Sequence, residues 1–175
     1  MIPLLVKEAA TVNIDEVKIG GGQIKIKVTI VNSGAGHKFP TDSPLRHLIL
    51  YIEATDERNN PLTQVSGPMI PKVGDSDYAG LPGQIYANIL KDKDMNSSPT
   101  VAYWNPVESA WLGSDTRLVP KVPVQSEYSF VAPSNGSARI TIKLIYRDMF
   151  LNLADQKGLI PIDIEAVKPT SFVVP

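Results

Sequence analysis

Gln23-Ile24-Lys25-Ile26-Lys27-Val28-Thr29-Ile30-Val31 carries apolar side chains at 24, 26, 28 and 30 and polar ones at 23, 25, 27 and 29. Successive side chains on a strand point to opposite sides, so this stretch reads as a β-strand with one buried face and one wet face. Upstream, Val12 and Ile14 mark a strand over residues 11–19, and Gly20-Gly21-Gly22 supplies the turn of a hairpin joining the two. Downstream, Leu48, Leu50, Ile52 and Ala54 alternate with His47, Ile49, Tyr51 and Glu53. Ile49 and Tyr51 in the second set imply a strand partly covered on both faces.

Further strands are expected over residues 62–65, 84–90, 127–131, 138–147 and 160–167, with 127–131 and 138–147 joined across Ser134-Asn135-Gly136. The one helix expected covers residues 148–157, where Met149, Phe150, Leu153 and Ala154 can share a stripe and Gly158 stands in the stop position. Residues 66–82 form a long connection rich in glycine and proline, of a length usually tied to function or interaction. Pro99, Pro106, Pro120 and Pro123 suit extended or edge segments. Seven or more short strands with one short helix near the C-terminus define an all-β protein, an immunoglobulin-like antiparallel β-sandwich with long loops, expected as a single domain over residues 1–175.

The net charge of −1 gives no field that would gather nucleic acid or an anionic membrane. No apolar run approaches a membrane-spanning length, and Met1-Ile2-Pro3-Leu4-Leu5-Val6 is too short and too soon charged for a signal peptide, so a soluble chain is expected. Cysteine is absent, which excludes disulfides, thiolate metal sites, cysteine nucleophiles and covalent haem attachment within this chain. There is no Gly-x-Ser-x-Gly, no His-Glu-x-x-His and no phosphate-binding Gly-x-x-x-x-Gly-Lys-Ser/Thr loop. An enzyme is not expected.

Between the two alternating strands lies Asn32-Ser33-Gly34-Ala35-Gly36-His37-Lys38-Phe39-Pro40-Thr41-Asp42-Ser43-Pro44-Leu45-Arg46. Two glycines, two prolines and small polar side chains make this a shaped loop that holds His37 on a rigid corner. An imidazole so placed can bind a metal or haem iron through one nitrogen while the backbone orients the other, or it can simply brace the corner. His47 would join it only if the loop folds back, with Asp42 the nearest carboxylate, and that trio is the basis of a metalloenzyme reading. Asp75 and Asp77 could offer oxygen to calcium, although the spacing falls short of an EF-hand and a solvated acidic turn is the plainer reading. Arg46, Arg117 and Arg147 stand at the ends of runs, as loop anchors do. Tyr86, Tyr103, Trp104 and Trp111 would serve either the core or an exposed platform for a sugar, which gives the alternative of an extracytoplasmic carbohydrate-binding or adhesion module.

Gly36-His37-Lys38-Phe39-Pro40-Thr41, introduced by Val31-Asn32-Ser33-Gly34-Ala35, resembles the Asn-x-Gly-x-Gly-His-x-Phe-Pro-Thr-Gly signature of a β-sandwich domain that follows the haem region of many multihaem c-type cytochromes. The resemblance extends through Ser43-Pro44-Leu45-Arg46-His47-Leu48, Gly80-Leu81-Pro82-Gly83, Tyr103-Trp104-Asn105-Pro106, Ser114-Asp115-Thr116-Arg117 and Leu153-Ala154-Asp155-Gln156-Lys157-Gly158. It departs from the signature at Asp42, where glycine is usual. The resemblance implies a non-catalytic accessory domain, a fragment of a longer cytochrome chain, that docks on haem-bearing polypeptide outside the cytoplasm and positions or shields it during electron transfer. On that reading haem c belongs to the parent protein or a partner. The contact face is the corner with His37, Phe39 and Thr41, together with Arg46 and His47, and His37 is the haem-contacting candidate.

Overall fold

The computed structural model describes residues 2–41, 43–73, 76–92 and 110–175. The chain runs α1 (Ile2–Ala9), β1 (Thr11–Gly20), β2 (Gln23–Val31), β3 (His47–Asp56), β4 (Gln64–Ser66), β5 (Gly83–Asp92), β6 (Ala110–Asp115), β7 (Pro123–Val131), β8 (Ala138–Arg147), α2 (Leu151–Lys157) and β9 (Asp163–Val174). The strands form two antiparallel sheets, one ordered β1-β2-β7-β4 and the other β6-β5-β3-β8-β9, so the protein is an all-β sandwich.

The alternating strands supply the core between the sheets. Ile24, Ile26, Val28 and Ile30 of β2, with Tyr128 and Phe130 of β7, meet Leu48, Leu50 and Ile52 of β3 and Ile140, Ile142 and Leu144 of β8, all buried in one cluster. At roughly 25 cal/mol per Å² of apolar area removed from water, this layer is the main favourable contribution to the fold. A second cluster of Ile49, Ile70, Ile85, Ala87, Ile145 and Phe150 covers the outer face of the five-stranded sheet. Ile49 and Ile145 therefore lie beneath a lid made by α2 and the connection after β4, which explains a strand apolar on both sides.

Several expectations change. Strands β7 and β8, joined across Ser134-Asn135-Gly136, lie in different sheets rather than pairing with one another. Both direct apolar residues into the space between the sheets, and that burial outweighs local hairpin pairing. Helix α1 was not legible from its sequence. Its Pro3 falls in the first turn, where a missing N–H is harmless, and Val6, Ala9 and Ala10 enter the core, which stabilises a helix too short to persist alone. Strand β9 extends to Val174, well beyond the expected residue 167. As an edge strand it accommodates Pro169 where the register with β8 shifts between Ile142 and Leu144.

Helix α2 starts at Leu151, three residues later than expected, and ends at Gly158 in the left-handed conformation (φ 62°), its N–H donating to the carbonyls of Ala154 and Asp155. The antiparallel registers pair Val31 with Pro123 and His47 with Arg147. The loop after β2, the start of β3 and the end of β8 consequently share one pole of the sandwich.

Candidate docking face

Asn32 organises this pole. Fully buried at the end of β2, it accepts a hydrogen bond from the Ala35 N–H (3.0 Å) through Oδ1, and its Nδ2 donates to the carbonyls of His37 (2.7 Å) and Leu118 (3.1 Å). Phe39 and Leu118 exchange two backbone hydrogen bonds of 2.9 and 2.8 Å, and the Lys121 N–H donates to the Asn32 carbonyl. The loop is thus clipped to residues 115–121 at several points, and the Phe39–Pro40 peptide is cis.

Charge adds a further clip. Lys38 Nζ lies 2.8 Å from Asp115, whose carboxylate also takes the Arg117 guanidinium in a two-pronged bond of 2.9 Å per arm. That fork, followed by the lysine, holds the Asp115 carboxyl well below the usual carboxylate range. Lys38 and Asp115 are 77 positions apart, a pairing no local pattern announces.

Helix α1 leans on the same loop. The Gly34 N–H donates to the Ala9 carbonyl at 3.1 Å, which satisfies a group that the helix end leaves open. A Cβ at position 34 would stand 2.0 Å from the Glu8 carbonyl oxygen, so the contact requires glycine. Between α1 and the loop is a cavity of about 410 Å³. Leu5, Val6 and Ala9 form one wall, Phe39 and Tyr146 another, and His37, Thr41 and Arg46 stand at its polar side with Glu8. The Phe39 and Tyr146 rings are nearly parallel, 6.3 Å apart at 15°. No local pattern in residues 1–10 announced this wall, whose helix is held by core strands distant in the chain.

His37 is exposed, with Nδ1 3.2 Å from the Lys38 carbonyl oxygen. A carbonyl only accepts, so Nδ1 is the donor in this contact, an orientation that in the neutral ring leaves Nε2 as the nitrogen that can bind a metal. Four candidates, His37, Phe39, Thr41 and Arg46, meet at the cavity. His47 does not join them. It is buried, its ring stacked on Phe150 at 4.3 Å and 8°, and its Nδ1 donates to the Leu45 carbonyl at 3.1 Å. Burial pushes its pKa down to about 4. The two-histidine arrangement is therefore not assembled, and among the described residues no group of three or more histidine and acidic side chains is placed to hold a metal.

Asp77 binds Arg147, with arms of 2.7 and 3.3 Å, and Asp163 binds the same guanidinium at 2.7 and 2.8 Å. Arginine rather than an open oxygen cage occupies the Asp77 carboxylate, while Asp75 lies outside the described residues, as does Asp42. Arg147 is buried with its guanidinium held between these two carboxylates and 5.5 Å from the Tyr78 ring. Of the aromatic platform, Tyr86 is buried with its hydroxyl donating to Gln84, and Tyr103 and Trp104 lie outside the described residues.

No family model matches the chain, and no curated protein does. Among solved structures it is similar to a penta-heme cytochrome c552 from Thermochromatium tepidum, with a TM-score of 0.67 and 21% sequence identity over 98% of this chain. The chain spans 41% of that cytochrome's length. At this identity the likeness establishes a shared fold.

Proposed function

We propose that this sandwich is a non-catalytic accessory module that docks its His37 corner on a haem-bearing polypeptide outside the cytoplasm and positions or shields haem during electron transfer. The observation that carries the reading is the corner itself: an exposed imidazole with Nδ1 donating to the Lys38 carbonyl, set on a loop immobilised by Asn32 and Leu118 beside a cavity. The fold shared with a penta-heme cytochrome supports the choice of partner.

The residues suit a haem held by another polypeptide. This chain has no cysteine for covalent attachment, yet His37 offers a nitrogen lone pair, and Phe39 and Tyr146 offer apolar ring surface beside it. Haem, when bound by the partner, supplies reversible one-electron chemistry. The module's own contribution is to orient that partner and keep water from one side of it.

The test is to produce the multihaem polypeptide encoded in the same or an adjoining reading frame and titrate it with this domain, following heat and the haem absorption spectrum. Association with a spectral change that His37→Ala abolishes supports haem contact. Association that His37→Ala leaves unaltered in strength and spectrum removes the histidine's role. Lack of association, or lack of Cys-x-x-Cys-His motifs in either frame, removes the reading.

A further inference from the structure

We infer that the open edge of β1 is a self-association surface, on which a second copy of the chain adds its own β1 antiparallel about a two-fold axis at Val17. The inference is independent of the docking face at the His37 corner.

A strand at the margin of a sheet directs the N–H and C=O groups of every second residue away from its one neighbour, and those groups can accept another strand. Among the described residues β1 pairs with β2 alone. The other sheet margins are short or guarded: β4 has three residues, β6 has six, and β9 carries Pro169 and is packed by α1. Strand β1 runs for ten residues without a proline.

Its second half is also apolar and uncovered. Val17 and Ile19 stand opposite Ile26 and Ile24 in the register with β2, and so lie on the side of the sheet that faces the core. Yet Val17 is 37% exposed and Ile19 51%, whereas Val12 and Ile14, before the register shift between Ile14 and Glu16, pack on the core. A strand laid along this edge brings side chains beside both.

Charge selects the strand and its register. On the other side of β1 are Glu16 and Lys18, an exposed pair joined within the chain at 2.7 Å, which holds little energy and is readily exchanged for another partner. Lys18 stands opposite Lys25 of β2, so a carboxylate on its open side is favoured. In two antiparallel copies related by a two-fold axis, each residue faces the one equally far from the centre, on the same side of the sheet. A centre at Glu16 sets glutamate against glutamate, and a centre at Lys18 sets lysine against lysine. A centre at Val17 sets Glu16 of each copy opposite Lys18 of the other, and places the two Val17 side chains together on the apolar side. The register shift between Ile14 and Glu16 confines the pairing to the few residues around Val17. The contact is therefore smaller than a standard interface, and the dimer should form between about 10 μM and 1 mM chain.

The experiment is sedimentation velocity across that range on wild type, Glu16→Lys, Lys18→Glu and an equimolar mixture of the two variants. Wild type should dimerise. Each variant alone sets like charges against each other at both facing positions, and should associate about tenfold or more weakly with an unchanged unfolding midpoint. The mixture should regain association, because a chain with two lysines on this edge then meets a chain with two glutamates, an outcome that no change within one monomer produces. Glu53→Lys and Lys143→Glu, which make the same changes in net charge at a pair 3.6 Å apart on the other sheet, serve as controls and should dimerise as wild type does, alone and mixed. A wild type that stays monomeric to about 1 mM leaves the edge to a strand of another polypeptide or to none, and overturns the inference. Association that neither Glu16→Lys nor Lys18→Glu weakens, or that their mixture fails to restore, overturns it too. The same loss and recovery in the controls would assign the effect to overall charge, with the same result.

Discussion

Two imidazoles ten positions apart present the same hydrogen-bonding atom to the protein and opposite surroundings to the world. His37 and His47 both donate from Nδ1 to a nearby carbonyl, of Lys38 and Leu45 respectively. His47 then stacks flat on Phe150 beneath α2, where burial lowers its pKa to about 4 and keeps the ring neutral. His37 stands exposed at a cavity on a loop whose rigidity comes from other residues. One ring is part of the packing. The other is carried by it, and only that one is available to a partner.

The sealed region is the place to expect the largest effect. Arg147 lies near His47 with its side chain 5% exposed and both neighbouring carboxylates aimed at it, so Arg147→Ala leaves Asp77 and Asp163 without their shared partner and opens a gap beneath Tyr78. Removing one member of a buried ion pair costs roughly 3–5 kcal/mol, and the partial exposure of the two carboxylates places the expected loss near the lower end. Urea unfolding measures it. A loss below about 1 kcal/mol would show that this end of the sheet is not sealed and would blur the contrast with the corner.

Acid should act on the same region. The folded-state pKa of His47 is about 4 and its unfolded value about 6.5, so the unfolded chain binds the extra proton first as pH falls. The stability is fully present above about pH 6.5 and declines as pH falls toward 4, by an amount on the order of 3 kcal/mol if the whole shift is realised. Asp115, held below its ordinary range, adds a loss at lower pH as it protonates. His47→Phe keeps the stacking and removes the titration, so its unfolding free energy should vary less across that window. Equal slopes for variant and wild type would place the source elsewhere.

At the exposed corner the stabilising residue is Asn32, not the histidine. Asn32→Ala removes both N–H donors to the His37 and Leu118 carbonyls and the acceptor for the Ala35 N–H, and although Leu118 keeps its bond from Phe39 the bend loses its central brace, for an expected cost of about 2 kcal/mol. Amide exchange at Ala35 and Phe39 should quicken while that in β3 and β8 is unchanged. Uniform loosening of the whole sandwich would mean that the corner is not an independently braced unit.

The difference in legibility between the two regions has a physical basis. Period-two alternation in β2, β3 and β8 announces which side chains share a face, and the apolar residues on both faces of β3 announce a cover. The glycines and prolines of residues 32–46 announce a bend. What fastens that bend is distant in the chain: Leu118 is 86 positions from Asn32, and Asp77 is 70 positions from Arg147. Such pairings depend on topology, which local spacing does not encode. Ser134-Asn135-Gly136 shows the same limit, since a turn-forming sequence serves a crossing between sheets as well as a hairpin within one. Helix α1 was hidden for another reason: its stability derives from burial of Val6, Ala9 and Ala10 in a core formed by strands far along the chain.

The smallest effect on stability separates the two histidines most sharply. In His37→Ala the Asn32 side chain still bonds the carbonyl of residue 37, and the Phe39–Leu118 pair is untouched, because both contacts use backbone atoms. What is lost is an exposed ring and its one local bond to the Lys38 carbonyl. The unfolding free energy should change by no more than about 0.5 kcal/mol, as for surface substitutions generally, and the amide spectrum should move only around residues 36–39. A loss above about 1 kcal/mol would make His37 a packing residue like His47, and the docking face would then lose its central side chain. A silent substitution leaves that imidazole with no evident duty to its own fold, which is the condition under which an outside partner can use it.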